Sequence, residues 1–433
     1  PHKRAQLTYS YARIVKDVRP AVVNIYVQGR VNKRLSPLFQ DPSFQRFFGV
    51  APSGGLGSGV IVTSDGLVIT NNHVIKMQGP SDIKIALADH REYPAKVILT
   101  DEKTDLAVLR IISDEKEFPY LQLADSDDAE VGDIVLAIGN PFGVGQTVTS
   151  GIISATARTR AGVSDYQFFL QTDAAVNKGN SGGALVSMDG KLLGINTFII
   201  SPSGGSTGIS FAIPSNMVSL IIDSAIRGKK IKRPWFGADL QNINNRIAQA
   251  VGLDRPIGAL VAYVTPDSPA DQAGLKTSDV IVAVDGHETN DPQSVYYRLA
   301  TKRVGNTAQL EVMRNGSKRN FTIELIEAPE TVPREVMLLR GRHPLQGATV
   351  ANLSPAVAEE LSIRVTTGVV VVETRAHSLA RRADMRPGDV ILRLNRKTIT
   401  NVRQLAKMLE RSYHTWDLTI FRRGRKIRTT IRF

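Results

Sequence analysis

The sequence predicts a mainly β protein: a barrel-type domain of short strands, followed by two copies of a smaller domain. Three observations carry that expectation. Residues 1 to about 230 break into short apolar, β-branched runs separated by Gly, Pro, Asn and Asp, the pattern of an all-β barrel domain. Residues 268–281 align with residues 378–391 at an offset of 110, and at that spacing each copy is a domain rather than a solenoid unit. The length of 433 residues exceeds what one core ordinarily serves and accommodates two to four domains.

Taken in order, helical signals sit at the ends of the first domain, over residues 9–18 and, after Pro214, over 215–226. The basic stretch 227–234 reads as a linker. The expected organisation is a first domain over 1–230, a first repeat over 231–328, a linker over 329–344 and a second repeat over 345–433. Both copies resemble PDZ domains, a resemblance that implies a short helix and the Asp-Val-Ile strand followed by a longer helix, near 291–301 and 401–411.

The chemistry concentrates in residues 172–183, where Ser181 is bracketed by Gly179, Gly182 and Gly183. A serine hydroxyl is a poor nucleophile at neutral pH unless a neighbouring base takes its proton during attack. Glycines open backbone conformations closed to other residues and let N–H groups approach a substrate. The N–H groups of Gly179 and Ser181, with Asn180 between them, would then face an oxyanion, where one donor is worth about 2.7–4 kcal/mol in enzymes that have been tested. An ordinary glycine-rich turn has the same composition, so the assignment depends on the rest of the chain.

Two other segments supply it. His73 lies in Thr-Asn-Asn-His-Val (70–74), after the alternating apolar stretch 59–69, where a strand ends and a turn begins. Asp105 heads the apolar run 106–109. A carboxylate so close to a buried run is costly unless hydrogen-bonded, and a histidine ring N–H is a suitable donor. Each has an ordinary structural reading by itself. Together, His73, Asp105 and Ser181 follow the His, Asp, Ser order of the chymotrypsin arrangement, which differs from the subtilisin and α/β-hydrolase orders.

Five motifs in sequence, Thr-Asn-Asn-His-Val (70–74), Asp-Leu-Ala-Val (105–108), Gly-Asn-Pro-Phe-Gly (139–143), Gly-Asn-Ser-Gly-Gly (179–183) and Phe-Ala-Ile-Pro (211–214), resemble the HtrA family of serine proteases in its DegP/DegQ branch. The resemblance implies a chymotrypsin-like double β-barrel protease domain followed by two PDZ domains. It implies His73 as general base then acid, Asp105 as its orienting partner and Ser181 as nucleophile. By the same resemblance Val176, Ile200 and Ile209 line the pocket for the residue before the scissile bond. No carboxylate occurs there, which favours small or medium aliphatic residues over Lys or Arg. The segment 158–169, beginning at Arg158, and the loop 198–205 are implied to switch the site between inactive and active arrangements. A periplasmic location and trimer-based homo-oligomers are likewise implied. The lack of a cysteine pair around 31–54 is closer to DegQ than to DegP.

The two repeats resemble PDZ domains, which add an extended peptide beside an exposed sheet edge and receive its terminal carboxylate on backbone amides. Trp235, Phe236, Gly237 and Ala238 occupy the carboxylate-loop position in the first copy; Leu345-Gln346-Gly347-Ala348 stands there in the second. The expected partners are therefore unfolded protein and peptide substrates, peptide C-termini and further copies of the chain.

Composition narrows the alternatives. With no cysteine, thiol catalysis, disulfides and thiolate metal sites are excluded. No His-Glu-x-x-His pattern supports a metal hydrolase, no Walker motif supports ATP use, and no cofactor is expected. No apolar run approaches the roughly 18 residues of a membrane span. Residues 340–433 hold 19 Lys and Arg against 7 Asp and Glu, +12 of the formal +13. The run 422–428 could attract nucleic acid, acidic lipid headgroups or an acidic face of another subunit, but no aromatic platform or nucleic-acid motif accompanies it, and no nucleic-acid partner is expected. In a terminal hairpin such charges, with Arg423 and Arg425 on one strand face and Lys426 and Arg428 on the other, read as solvated surface. The function expected is ATP-independent endoproteolysis of unfolded or misfolded envelope proteins, regulated by peptides through the PDZ domains, with chaperone activity beside it. The alternative is a chaperone or peptide-binding scaffold in which proteolysis is secondary.

Overall fold

The computed structural model describes residues 10–30, 54–76, 78–140, 145–158, 168–177, 179–199, 206–228, 231–361, 363, 365–411, 413–422 and 424–432. Two closed six-stranded barrels come first. One runs β1 (Val22–Arg30), β2 (Gly54–Ile61), β3 (Leu67–Asn71), β6 (Leu106–Ile111), β5 (Glu92–Asp101), β4 (Gln78–Ala86). The other runs β10 (Ala184–Ser187), β11 (Leu192–Ile199), β12 (Ser210–Pro214), β9 (Phe169–Thr172), β8 (Thr147–Arg158), β7 (Ile134–Gly139).

Side-chain alternation explains why the strands sit as they do. Val23, Ile25 and Val27 point into the first barrel with Val68, Ile85 and Leu109, while Val135, Ala137, Leu170 and Leu185 fill the second. The opposite faces of the same strands are also apolar: Val60, Ile69, Val108, Ile138 and Val186 join one cluster between the barrels. Strands buried on both faces read as continuous apolar runs, which is why β3 and β6 lack polar alternation. The stretch 59–69 is a hairpin rather than one strand, with β2 and β3 paired antiparallel across a turn in which Gly66 has φ +81°.

The helices at the domain ends form at Ala12–Val18 and Ser215–Ile226. Met217, Val218 and Ile221 of the second seal the inter-barrel cluster. The stretch expected as a plain linker is more than that. Arg233 forms a buried ion pair with Asp101 at the end of β5, and Phe168 stacks on Tyr297 of the first repeat, ring centroids 3.7 Å apart.

The two repeats build sheets of the same order. The first runs β13 (Ala238–Asn242), β14 (Ala259–Val264), β15 (Val280–Val284), β17 (Thr307–Arg314), β18 (Ser317–Glu324), with β16 (His287–Glu288) on β15. The second repeats it as β20 (Ala348–Asn352), β21 (Val369–Thr374), β22 (Val390–Leu394), β24 (Thr415–Arg422), β25 (Arg425–Arg432), with β23 (Lys397–Thr398) on β22. One strand has no counterpart in the first repeat. β19 (Met337–Leu338), inside the expected linker 329–344, pairs with the outer edge of β20.

The longer helices occupy Pro292–Ala300 and Val402–Leu409, capped by the side chains of Asp291 and Asn401, which accept from Ser294 and Gln404 N–H. A buried ion pair also repeats. Asp279 accepts from Arg314 Nε and Nη2 at 2.6 Å each, and Asp389 from Arg422 Nε and Nη2 at 2.6 and 2.7 Å. Arg422 thus belongs to the internal framework rather than to the exposed basic face. Its guanidinium also holds the Asp384 carboxyl below the usual carboxylate range, together with Arg386. The hairpin turns between β24 and β25 at Gly424, φ +81°, and Arg423 lies outside the described residues. Removing one partner of a buried pair strands the other charge, which typically costs about 3–5 kcal/mol. Arg314→Met should therefore destabilise the first repeat by about that amount, read by calorimetry of the full chain. A first-repeat transition that moves by less than a degree would contradict this.

Candidate active site

β3 ends at Asn71 and the chain passes into a four-residue helical turn, Asn72–Ile75. A turn was expected here and its helical form was not; it fixes His73. Asp105 sits across from it in the loop leading into β6, with φ +58°, a left-handed conformation that Asp tolerates better than most residues. That conformation lets one residue serve on three sides. Its Oδ2 lies 2.6 Å from His73 Nδ1, its Oδ1 accepts the His73 backbone N–H at 3.0 Å, and its main-chain oxygen accepts from Asn72 N–H at 2.9 Å and Asn71 Nδ2 at 3.1 Å. Both His73 and Asp105 are buried, so the two hydrogen bonds to the carboxylate offset much of its desolvation cost.

Ser181 lies on the second barrel, in the turn before β10, and is also buried. Its hydroxyl donates to the Thr197 carbonyl at 2.9 Å. The glycines around it are sterically required. A Cβ at Gly182, φ +83°, would stand 2.2 Å from Ser58 O, and one at Gly183 would stand 2.3 Å from Ile138 O. Gly179 has φ +95°. Among the described residues the Gly179 and Ser181 N–H groups have no acceptor, whereas the Asn180 N–H is spent on Asn177 O at 3.0 Å. Of the three residues expected around an oxyanion, Asn180 therefore shapes the turn and does not offer its own amide.

The barrels meet through small polar residues that the sequence did not single out. Ser58 donates its hydroxyl to Gly179 O at 2.6 Å, accepts the Asn140 N–H at 2.8 Å, and gives its own N–H to Ser181 O at 2.9 Å. Asn71 Nδ2 reaches Thr197 Oγ1 at 3.0 Å. Gly57 marks how close the seam is, since a Cβ there would meet Val74 Cγ1 at 2.7 Å and Ser181 O at 3.3 Å. The only available signal for Ser58 was its glycine bracket, Gly57 and Gly59.

The residues expected to line the specificity pocket, and Arg158, distribute unevenly. Val176 is wholly enclosed in the core of the second barrel with Ala174 and Leu185. Ile209, one residue before β12, is 37% exposed. Ile200 falls outside the described residues; Arg158 closes β8, and its side chain lies outside them too. Among the described residues no cluster of three or more His, Asp or Glu suits a metal.

The first repeat has a groove at its edge strand. Trp235, Phe236, Gly237 and Ala238 line a cavity of about 280 Å³ together with Tyr296 and Leu299 of the flanking helix. Gly237, φ +74°, is irreplaceable there, because a Cβ would stand 2.1 Å from Ser268 Cβ. The Tyr296 hydroxyl bridges the strand edge, accepting from Leu240 N–H at 3.2 Å and donating to Ala238 O at 3.3 Å. The outer wall comes from elsewhere in the chain: Pro355 and Glu359 of the second repeat, and Lys103 of the first barrel, which donates to Glu359 O at 2.5 Å.

Residues 57–195 match the trypsin-like peptidase domain family and residues 234–325 match the PDZ domain family. The chain is 40% identical over 404 residues to a probable periplasmic serine endoprotease, DegP-like, of Chlamydia pneumoniae, covering 90% of this chain and 80% of that protein. It is 35% identical over 438 residues to the periplasmic serine endoprotease DegP of Escherichia coli strain K12, covering 94% and 88%. Among solved structures, an HtrA-type protease AlgW with tripeptide matches at 41% identity and TM-score 0.55, over 74% of this chain and 98% of that one. The same protease with a decapeptide matches at 44% identity and TM-score 0.52, over 74% and 99%.

Ser58→Ala releases the Gly179 carbonyl and leaves the buried Asn140 N–H without its acceptor. The turnover number on a fluorogenic peptide should fall by about 10-fold or more, toward the roughly 10³-fold limit for loss of one oxyanion donor, with KM little changed. An unaltered turnover number would show that the seam does not support the turn.

Proposed function

The chain belongs to the HtrA family of serine proteases, and on that premise we propose that His73, Asp105 and Ser181 carry its peptide-bond hydrolysis. It is a periplasmic serine endopeptidase, like the relatives it matches. The observation that supports the residue assignment is the two-point hold of Asp105 on His73, set across the barrel seam from a glycine-cradled serine.

The steps follow from that arrangement. Because the Asp105 carboxylate accepts the Nδ1 proton, the basic nitrogen of His73 is Nε2. The Ser181 hydroxyl has one proton, now directed at Thr197 O, so rotation about χ1 must redirect it to His73 before attack. Ser181 Oγ then bonds to the substrate carbonyl carbon while His73 takes the proton and the carbonyl oxygen becomes an oxyanion. The Gly179 and Ser181 N–H groups receive that oxyanion. Collapse breaks the C–N bond, and His73 returns its proton to the departing amine. Water repeats the sequence on the acyl-enzyme, releasing the acid and restoring Ser181.

Substrates are extended segments of unfolded or misfolded proteins, degraded without ATP. Small or medium aliphatic residues are favoured before the scissile bond, and of the expected pocket lining Ile209 is the described residue with exposed surface. The first repeat receives peptide C-termini and reports them to the protease domain, while the second is a further PDZ domain. The working form is a homo-oligomer built on trimers, and capture of unfolded chains gives it chaperone activity as well.

Ser181→Ala and His73→Ala should each abolish casein cleavage, since triad members act as a unit and single losses reach roughly 10⁶-fold in such enzymes. A fluorophosphonate probe should label wild type at Ser181, and Ser181→Ala should still hold unfolded protein. Residual cleavage near wild type in either variant would refute the assignment.

For the first repeat, peptides with a free apolar C-terminus should bind and amidated ones should not. Tyr296→Phe removes the hydroxyl that competes for Ala238 O and Leu240 N–H. With a net hydrogen bond worth about 1 kcal/mol, peptide affinity should rise by about five-fold in fluorescence titration. Weaker binding would mean that Tyr296 supports the groove instead of closing it.

A further inference from the structure

We infer that the second repeat contains a peptide groove whose ligand is already in place, the chain's own residues 337–339. The inference rests on reading both repeats as PDZ domains. In the first repeat the Tyr296 hydroxyl takes Leu240 N–H and Ala238 O on the outer edge of β13. At the offset of 110 that residue corresponds to Ala406, which has no hydroxyl to offer. The corresponding edge, on β20, is instead taken by backbone: Met337 pairs with Val350 and Leu338 with Thr349, antiparallel.

The segment ends as a bound peptide would end. Leu339 N–H donates to Ala348 O at 2.9 Å, the carbonyl equivalent to the one Tyr296 holds in the first repeat. Gly347 N–H, from the carboxylate-loop position, donates to Leu339 O at 2.9 Å. An edge strand that supplies one donor to the last carbonyl and one acceptor to the last amide is the hydrogen-bonding pattern of strand addition. The Leu339 side chain is 2% exposed and belongs to one cluster with Ala348, Val350, Leu405 and Leu409. Ala238 and Leu299, the counterparts of Ala348 and Leu409, line the cavity of the first repeat. Where one repeat has a cavity, the other has Leu339.

The ligand class follows: an extended apolar segment with an aliphatic residue in the terminal pocket. Leu339 rejoins the domain at Leu345, turning through Gly341 at φ +111° and the His343 contact with Arg340 O at 2.9 Å. So short a tether sets an effective concentration on the order of millimolar, which excludes free peptides at micromolar concentration by about 10³-fold. The intact chain therefore offers one peptide site, in the first repeat.

The test uses the full chain carrying Ser181→Ala, so that the probe is not cut, and a fluorescein-labelled peptide copying residues 332–339 with a free carboxylate. Binding should saturate at one peptide per chain, and adding Leu339→Asp should raise this to two. Two sites without Leu339→Asp, or one site in a folded Leu339→Asp chain, would overturn the internal ligand alone. No binding in either chain would overturn the PDZ reading itself. Should Leu339→Asp unfold the second repeat, Met337→Cys with Val350→Cys gives an independent answer in a chain that has no other cysteine. The disulfide should close fully under air and leave one site; a pair that stays reduced would overturn the proposal.

Discussion

The buried carboxylate of Asp105 is the constraint on which the site's geometry turns. A charge enclosed at the mouth of an apolar strand is tolerable only when surrounded by donors. Here the His73 ring and backbone N–H groups supply two. The left-handed backbone at Asp105 turns its main-chain oxygen back toward Asn71 and Asn72 as well. The same bonds that offset desolvation fix the imidazole's tautomer and orientation. Stability and chemistry therefore draw on one set of atoms, and a change at Asp105 cannot alter one without the other.

The second barrel is held to that assembly by short polar side chains rather than by long ones. Ser58 uses both its hydroxyl and its amide on the turn that carries Ser181, and Asn71 spans from Asp105 to Thr197. Apolar packing through Val60, Ile69, Ile138 and Val186 brings the barrels together, but it is non-directional. Hydrogen bonds at the seam supply the register between the turn that carries Ser181 and the strands that lead to His73. The Ser181 hydroxyl's bond to Thr197 O is part of that register.

Much of this was legible in the sequence because the chemistry restricts residue types. Gly182 and Gly183 read as a cradle, and the structure supplies the reason, two main-chain oxygens that a Cβ would strike. His73 and Asp105 read as a pair and are one. Ser58 and Thr197 did not stand out, because a serine or threonine becomes informative only when its distant partner is known, and those partners lie across a seam no local pattern encodes. The hairpin within 59–69 was missed because the stretch was read as one alternating run, although Ser64, Asp65 and Gly66 inside it are turn residues. Residues 337–339 read as linker for a related reason: a two-residue strand has no periodicity, and its partner is set by the edge it covers.

That edge also explains why one fold appears twice with different consequences. An unpaired strand edge exposes amide and carbonyl groups that other chains can pair with. The first repeat covers its edge with a phenol hydroxyl, which makes two hydrogen bonds and leaves a cavity beside them. The second covers it with three residues of backbone and a buried leucine. A hydroxyl can be displaced by a peptide that offers the same two bonds and fills the cavity as well. A tethered strand already offers both. The difference between a receptor and a closed structural module therefore lies less in the sheet, which is the same, than in the bond count and buried area of what sits against its edge. In this chain a tyrosine stands at position 296 and an alanine at the equivalent position 406, and the edge beside each has the occupant that matches.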